Sequence, residues 1–237
     1  MKKVVLMFFV SVFTHLHYSY AQTIKFEDVE FDIVNVKASS TLLNGEKVIK
    51  VERDLDKLPF DANRLGATVD EPTFIKIKNV DFADGVIEVK MLSKIQHPSP
   101  FEAARGFIGI AYRINEDNSA FDAIYLRPTN GRADNQFMRN HTVQYYAYPE
   151  YKFDRLRKEA NGEYETYADI GLNEWISIRI EIKDKKAVLY INNQKSPSFI
   201  VNEMKGNTKS GSIGLWVDIG TEGYFKDFKF TKTPQKK

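Results

Sequence analysis

The chain has 237 residues, with 34 Lys and Arg against 32 Asp and Glu, and no cysteine. The lack of cysteine excludes a disulfide framework, a thiolate metal site, a cysteine nucleophile and lipid attachment through an N-terminal cysteine. The near balance of charge gives no reason to expect nucleic acid as a partner. A chain of this length can form a single all-β domain.

Residues 1–21 have the layout of a secretory signal peptide. Lys2 and Lys3 precede the apolar run Val4–Phe13, and a small-residue end follows. That run is about half the roughly 20 residues needed to span a bilayer, so we expect a cleaved signal and no membrane insertion. We predict a periplasmic or secreted protein whose residues 22–237 form one domain, with basic and acidic residues then equal in number.

The next part of the chain, up to Gly66, predicts weak strands followed by a polar loop over Asp54–Gly66. Beyond it the dominant period is two, as in strands with one buried face. The clearest run is Trp175–Lys183, in which isoleucines alternate with polar residues. The other predicted strands are Thr73–Lys78, Val86–Met91, Gly106–Arg113, Phe121–Arg127, Thr142–Tyr148, Ala187–Ile191, Ser212–Val217 and Tyr224–Thr231.

Turn signals separate these runs. Asn44-Gly45, Asp84-Gly85 and Asn192-Asn193 suit the positive φ of tight hairpin turns. One segment breaks the pattern, since Tyr151–Glu159 consists of good helix formers closed by Asn161-Gly162. Many short strands with one helix predict an all-β fold, an antiparallel sandwich of the jelly-roll kind with one short helix on its rim.

Several runs resemble exported bacterial domains of the concanavalin A-like lectin/glucanase superfamily. They are Gly106–Arg113, Phe121–Pro128, Arg139–Tyr145, Asn173–Arg179, Tyr190–Asn193 and Gly211–Val217. The C-terminal runs resemble those of 3-keto-disaccharide hydrolase-type sandwiches. The resemblance implies a concanavalin A-like fold and a carbohydrate ligand. The group that the chain resembles also includes enzymes that process oligosaccharides from uronate-rich algal polysaccharides by elimination or dehydration. The resemblance therefore implies a lyase or dehydratase.

Between Arg105 and Arg157 arginines and tyrosines concentrate around His141. Arginine binds carboxylates with two parallel hydrogen bonds, tyrosine offers an apolar face with a hydroxyl, and histidine exchanges a proton near neutral pH. These residue types suit an acidic sugar. Elimination on a uronate needs a cation at the carboxylate, a base and an acid.

We expect His141 and Tyr146 to exchange protons, and Arg113, Arg127 and Arg139 to bind the acid. Further expected substrate-binding residues are Gln144, Tyr148, Tyr125 and His97. Parity places Gln144, Tyr146 and Tyr148 on one face of their strand, and it groups His141 with the opposite face unless a strand end turns it. Each residue also has a structural interpretation, as an edge charge, a packing ring or a hydrogen-bonded core group.

Two other functions stay open, a non-catalytic carbohydrate-binding module and a glycoside hydrolase of the 3-keto-disaccharide type. The Glu-x-Asp-x-x-Glu motif of two-carboxylate hydrolases is absent, which argues against a retaining hydrolase. No cofactor is required for the expected reaction, and two histidines after residue 21 make a zinc site improbable. A structural calcium ion at Asp117-Asn118 or Asp218 is an open expectation. We expect a monomer.

Overall fold

The computed structural model describes residues 22–234, and the predicted signal peptide over 1–21 lies outside them. The chain forms two antiparallel sheets packed as a sandwich. The strands are β1 (Thr23–Phe26), β2 (Val29–Val34), β3 (Val36–Leu43), β4 (Glu46–Arg53), β5 (Phe74–Ile77), β6 (Gly85–Ile95), β7 (Ile108–Ile114), β8 (Phe121–Leu126), β9 (Val143–Tyr148), β10 (Glu165–Thr166), β11 (Ile176–Lys183), β12 (Lys186–Ile191), β13 (Phe199–Val201), β14 (Ser212–Val217) and β15 (Thr221–Lys232).

The eight-stranded sheet has the order β1-β2-β5-β14-β7-β8-β9-β10, and the seven-stranded sheet has the order β13-β12-β11-β6-β15-β4-β3. All the strands predicted from period two are present within a few residues of the expected bounds. The predicted all-β sandwich is therefore confirmed. Among residues 22–234 no helix is long and apolar enough to cross a membrane.

The predicted rim helix is present as α4 (Phe153–Glu159). Three further helices of about one turn were not predicted, α1 (Leu65–Thr68), α2 (Pro128–Gly131) and α3 (Gln136–Asn140), and a 3-10 turn (Ala62–Arg64) precedes α1. Such short helices carry no full period of apolar residues, so pattern analysis does not find them. Asn135 caps α3 by accepting a hydrogen bond from the Met138 backbone N–H at 3.1 Å.

Two of the three predicted hairpin turns are confirmed. Asn192 and Asn193 have φ of 52° and 58°, and Asn44-Gly45 also has positive φ at both residues. The prediction for Asp84-Gly85 is wrong, because β5 and β6 belong to different sheets. Gly85 serves close packing instead, since a Cβ on it would lie 1.9 Å from the Thr231 carbonyl oxygen.

The eight-stranded sheet has an inner face against the other sheet and an outer face that carries the loops. Ile108 and Val217 face the seven-stranded sheet, since both would meet a Cβ built on Gly223 of β15. By register, the outer face therefore carries Trp216, Tyr125 and Gln144. The segments 54–72 and 98–107 and the helices α2 to α4 bring further residues to this side of the sheet.

Candidate functional site

A cavity of about 280 Å³ lies where the outer face of the eight-stranded sheet meets these covering segments. Phe101, Phe107 and Phe153 form apolar walls, and Tyr125 and Arg127 reach the cavity from the end of β8. Its volume is near the lower end of the range for ligand pockets, roughly 300–1,000 Å³. The cavity therefore suits a small ligand or one terminal unit of a longer one.

A larger groove of about 490 Å³ crosses the outer face of the seven-stranded sheet. Its charged side chains are exposed and pair with one another, as Lys90 does with Asp227 and Lys229 with Glu88. Exposed pairs of this kind are ordinary surface features. The smaller cavity is the better candidate because it holds buried titratable groups, which cluster at functional sites.

Two arginines of the cavity wall share one carboxylate, Glu165 on β10, which lines an adjacent depression and not the cavity itself. Arg157 of α4 donates to it from Nε and Nη2, at 2.8 Å and 2.5 Å, and Arg127 Nη1 lies 3.3 Å from its Oε1. Burial alone would raise the pKa of Glu165, but the hydrogen bond from Arg157 and the charges of both arginines hold it below its usual value. Glu165 is therefore a carboxylate at neutral pH.

His141 stands at the end of α3, directly before β9, and lines the cavity. Its Nδ1 lies 2.8 Å from Glu165 Oε2 as an ion-pair contact without hydrogen-bond geometry, and its Nε2 is buried without a hydrogen-bond partner among the described residues. Burial lowers the pKa of His141, and the nearby Glu165 offsets only part of this. A neutral imidazole with a carboxylate at Nδ1 presents the Nε2 lone pair as a base.

Tyr125 and Asn130 add hydrogen-bonding groups to the cavity. The Tyr125 hydroxyl accepts a hydrogen bond from Arg127 Nη2 at 2.6 Å, which leaves its own proton free to be donated. Asn130 donates from Nδ2 to the His141 carbonyl oxygen at 3.2 Å, and its Oδ1 is buried without a partner in the described structure. Burial raises the pKa of Tyr125 well above its usual range, so its hydroxyl is a donor at neutral pH.

Two buried aspartates, Asp70 and Asp218, also line the cavity. Asp218 accepts from Arg53 Nη1 at 2.7 Å and from the backbone N–H of Asp70 at 2.9 Å. Asp70 has a φ of 56°, which few residues other than glycine adopt. Burial raises the pKa of Asp70 to about 6, and the negative charge of Asp218 adds to this rise. Asp70 therefore exchanges a proton close to neutral pH.

The structure brings together three of the predicted site residues, His141, Arg127 and Tyr125. Parity groups His141 with Val143 and Tyr145 unless the strand end turns it, and the structure shows the second case, because His141 ends α3 and precedes β9. Arg127, which we expect to bind the acid, has its guanidinium engaged by groups of the protein itself. Its Nη1 and Nη2 bind the His141 carbonyl oxygen, Glu165, the Tyr125 hydroxyl and Gln144.

Arg113 does not belong to this site. It lies six residues from Phe107, at the other end of β7 and thus roughly 20 Å along the strand. Its guanidinium is held by the Ala83 carbonyl oxygen, Asp84 and the Asp184 carbonyl oxygen, at 2.7–2.9 Å. These contacts join the two sheets and place Arg113 away from this cavity, so its predicted role in binding the substrate gains no support from its position.

The predicted division of β9 into two faces is confirmed, because Gln144, Tyr146 and Tyr148 pair with the outer-face positions of β8. They nevertheless lie outside the cavity wall. Gln144 is fully buried and donates from Nε2 to the backbone oxygens of Tyr145 and Tyr164. Tyr148 stacks on Phe121 at 5.1 Å and donates to Glu71.

Tyr146, which we expect to exchange protons with His141, does not line the cavity. Its ring packs between Tyr125, Phe121 and Trp216, and its hydroxyl is buried without a partner among residues 22–234. Burial raises the pKa of Tyr146 well above its usual range. A hydroxyl closed off from the cavity and reluctant to ionise is poorly suited to proton transfer.

Arg139 and His97 also lie away from the cavity wall. Arg139 donates from Nη2 to the Tyr167 hydroxyl at 2.8 Å, beside a neighbouring depression. His97 is exposed in the loop after β6. Neither contacts the group of buried charges.

Asp70 and Glu165 were not predicted from the sequence, and Asp218 was suggested only as a calcium ligand, because the groups that meet at the cavity come from distant parts of the chain. Asp218 carried a signal, since it interrupts the apolar run Trp216-Val-Asp-Ile219. An acid inside such a run is buried and needs a partner. Its partner, Arg53, ends a strand 165 residues earlier and could not be found from spacing.

Among residues 22–234 no group of three or more acidic or histidine side chains is arranged to hold a metal ion. The acids suggested for calcium are engaged otherwise. Asp218 binds Arg53, and Asp117 accepts hydrogen bonds from the backbone and hydroxyl of Ser119. A structural calcium ion stays a prediction without a described set of ligands.

The fold is similar to that of the carbohydrate-binding module CBM66 from Bacillus subtilis, with a TM-score of 0.54 and 12% identity, covering 84% of this chain and 94% of that chain. The comparison with the Bacillus licheniformis beta-glucanase has a TM-score of 0.41 and 11% identity, and it covers 84% of this chain and 83% of that chain. The comparison with the Caenorhabditis elegans galectin LEC-6 has a TM-score of 0.37 and 8% identity, and it covers 65% of this chain and 91% of that chain. No protein-family model and no curated protein matches the chain. At such identities the first similarity shows the fold alone, an antiparallel β-sandwich.

Proposed function

We propose that the protein is a carbohydrate-active enzyme that binds one unit of an acidic oligosaccharide in the cavity and acts on it by elimination. The observation that carries the proposal is the environment of the His141 imidazole. His141 lines the cavity, its Nε2 is buried without a partner among residues 22–234, and Glu165 Oε2 lies 2.8 Å from its Nδ1. A neutral histidine held in this way is equipped as a general base.

The cavity favours an anionic ligand. Arg127 and Arg157 carry two positive charges against the single charge of Glu165, and Arg53 offsets Asp218. Arg105 adds another cation at the wall, so the net charge is positive whether Asp70 is ionised or not. Arg157 uses Nε and Nη2 for Glu165, so its Nη1 and the Arg105 guanidinium are the groups we assign to a sugar carboxylate.

The elimination follows from these positions. His141 Nε2 takes the proton from the carbon next to the sugar carboxylate, whose negative charge the arginines stabilise. The electron pair of that bond forms a carbon–carbon double bond, and the bond from the next carbon to the leaving oxygen breaks. The oxygen receives a proton from the Tyr125 hydroxyl or from protonated Asp70, both at the cavity wall. The products are an unsaturated sugar and either water or a shortened oligosaccharide.

A glycoside hydrolase is the second candidate, because Asp70 and Asp218 place two buried carboxyl groups at one cavity. Asp70, with its pKa of about 6, has the character of a general acid. Asp218 is bound to Arg53 and to two backbone N–H groups, which leaves it less free to attack a sugar or activate water. Elimination is therefore the better-supported reaction.

The test incubates the protein lacking residues 1–21 with saturated and unsaturated uronate oligosaccharides, following ultraviolet absorbance and product mass. We expect new absorbance and either the loss of one water or cleavage, and a decrease of about 100-fold or more in His141→Gln. His97→Gln is the matched control, because it removes an exposed histidine outside the cavity.

Each other result points to a different function. Cleavage with the addition of water and no new absorbance would favour the hydrolase. Binding without any change in mass would favour a carbohydrate-binding module. Export to the periplasm or the exterior stays a prediction from residues 1–21.

A further inference from the structure

A second depression of about 450 Å³ adjoins the cavity on the other side of His141. Phe137 and His141 line both spaces, while the second alone is lined by Tyr167, Asn140, Asn161 and Glu165, whose carboxylate is bound by Arg127 and Arg157. The two spaces are therefore neighbours that share a wall of two side chains. A ligand longer than one unit that occupies the cavity would therefore meet this depression next, across Phe137 and His141.

Two exposed aromatic rings flank the depression. Among residues 22–234 the large hydrophobic side chains that are exposed are Leu42, Phe137, Tyr167 and Ile200, and Phe137 and Tyr167 are 69% and 37% exposed. Both aromatic members of this group thus lie at one site, within reach of the candidate base. Exposed aromatic side chains brought together in this way mark a binding surface.

The positions of these rings are fixed by their neighbours. Phe137 of α3 packs edge-on against His141, with 4.4 Å between ring centres. The Tyr167 hydroxyl accepts a hydrogen bond from Arg139, whose guanidinium also lies 4.8 Å from the ring centre. Rings held in place lose little conformational entropy when a ligand stacks on them.

Polar groups complete the surface. Asn140 and Asn161 offer amide donors and acceptors next to the two rings. A sugar ring presents C–H groups on its faces and hydroxyls around its edge, so it can contact an aromatic ring and amides together. A purely apolar ligand would leave these amides without partners.

We propose that the depression is a second sugar subsite, which binds the unit next to the one held in the cavity and places the bond between them beside His141. The proposal rests on the function proposed for the cavity and deepens it. It assigns the substrate class as disaccharides or longer chains. It also gives Arg139 a positioning role, through Tyr167, in place of the direct contact expected from the sequence.

The experiment measures the affinity of uronate mono-, di- and trisaccharides by calorimetry. For the unsubstituted protein we expect the affinity to rise about tenfold from one unit to two. Tyr167→Ala is the decisive variant, because Tyr167 lines the depression and not the cavity. It should abolish this rise and leave monosaccharide affinity unchanged, and Tyr167→Phe should lose less of the rise.

Phe137→Ala should weaken binding of every length, since Phe137 lines both spaces. Leu42→Ala removes an exposed side chain of similar size from β3 of the other sheet and is the matched control. All three positions are exposed, so the variants keep the core, which thermal unfolding verifies. An equal affinity for one and two units, or a rise that persists in Tyr167→Ala, overturns the subsite.

The outcomes separate the subsite from the reaction. A length-dependent affinity that Tyr167→Ala removes, without any turnover, supports the subsite and overturns the elimination. Turnover with no dependence of affinity on chain length supports the elimination and overturns the subsite. A lack of binding at every length overturns both.

Discussion

The outer faces of the two sheets differ in how far they are exposed to solvent. On the seven-stranded sheet β11 alternates buried isoleucines with partly exposed polar residues, and its outer face carries ion pairs open to solvent, such as Arg179–Glu181. On the eight-stranded sheet β7, β8 and β14 are buried at every position, because loops and short helices cover the outer face. Charged groups on this face are enclosed with their partners.

This difference explains why the site lies where it does. A charge in contact with water keeps close to its ordinary properties, whereas a charge that is removed from water depends on its neighbours. The covered face contains Asp70, His141 and Glu165, whose pKa values burial and neighbouring charges shift in different directions. Groups of this kind supply both an acid and a base near neutral pH.

The largest expected effect comes from removing one enclosed charge. Glu165→Gln leaves Arg127 and Arg157 without their shared carboxylate, and loss of one partner of a buried ion pair costs about 3–5 kcal/mol of unfolding free energy. Glu181→Gln removes the same charge from a pair whose side chains are about two-fifths exposed, where we expect about 0–1 kcal/mol. Urea unfolding of the two variants measures the contrast.

The sign of the pH dependence follows from the same contacts. Because the folded state holds the pKa of Glu165 below its ordinary value, its contribution is present above that value and is lost as the pH falls through the folded-state pKa. In the comparison of the two variants, equal losses of unfolding free energy in Glu165→Gln and Glu181→Gln would show that the covering segments do not isolate the site from solvent.

The sequence predicted the seven-stranded sheet better than the site. Alternation in Trp175–Lys183 and the Asn192-Asn193 turn identified a half-exposed hairpin, because local residues decide both features. Strand parity also grouped Gln144, Tyr146 and Tyr148 correctly on one face of β9, which in the structure is the outer face. The covering segments have no such period, so their arrangement could not be predicted.

The site was predicted in part, since composition identified the region of Arg127 and His141. The roles within it depend on contacts across the chain. Glu165 lies 38 residues from Arg127, and Asp218 lies 165 residues from Arg53. Arg113 and Arg127 both stand near the C-terminal ends of their strands. Because β7 and β8 are antiparallel neighbours, these ends lie at opposite edges of the sheet, and only Arg127 lies at the site.

A smaller effect on stability is expected from Asp70, which the covering segments bury away from water. Its rise in pKa from 3.8 to about 6 means that the folded protein binds a proton more tightly than the unfolded chain does. This contribution to stability is complete below the unfolded value and is lost as the pH rises through about 6, a change of about 3 kcal/mol. Asp70→Asn should remove this part of the pH dependence, as measured by urea unfolding between pH 4 and pH 8.

Asp227→Asn is the matched control for that experiment. Asp227 also has a positive φ, of 53°, but its side chain is 55% exposed on the other sheet. The amide itself is thus tested in the same backbone conformation without burial. If Asp70→Asn retained the full decrease in stability between pH 4 and pH 8, the assignment of an enclosed, proton-binding Asp70 would be wrong.

The smallest expected effects distinguish the two faces of β9. Tyr145 points inward and its hydroxyl donates to Asp122 and accepts from the Lys205 backbone N–H, both at 2.5 Å. Tyr145→Phe therefore leaves buried Asp122 with only the Gly206 N–H as donor and the part-buried Lys205 N–H without its acceptor, and it costs about 1–3 kcal/mol. Tyr146 points outward with an unpartnered hydroxyl, so Tyr146→Phe removes nothing that is bonded and should change stability by less than about 0.5 kcal/mol. Thermal and urea unfolding compare the pair. A decrease in turnover of about 100-fold in Tyr146→Phe would restore the proton-carrying role expected from the sequence, whereas unchanged turnover agrees with a ring that supports Tyr125 from behind the cavity wall.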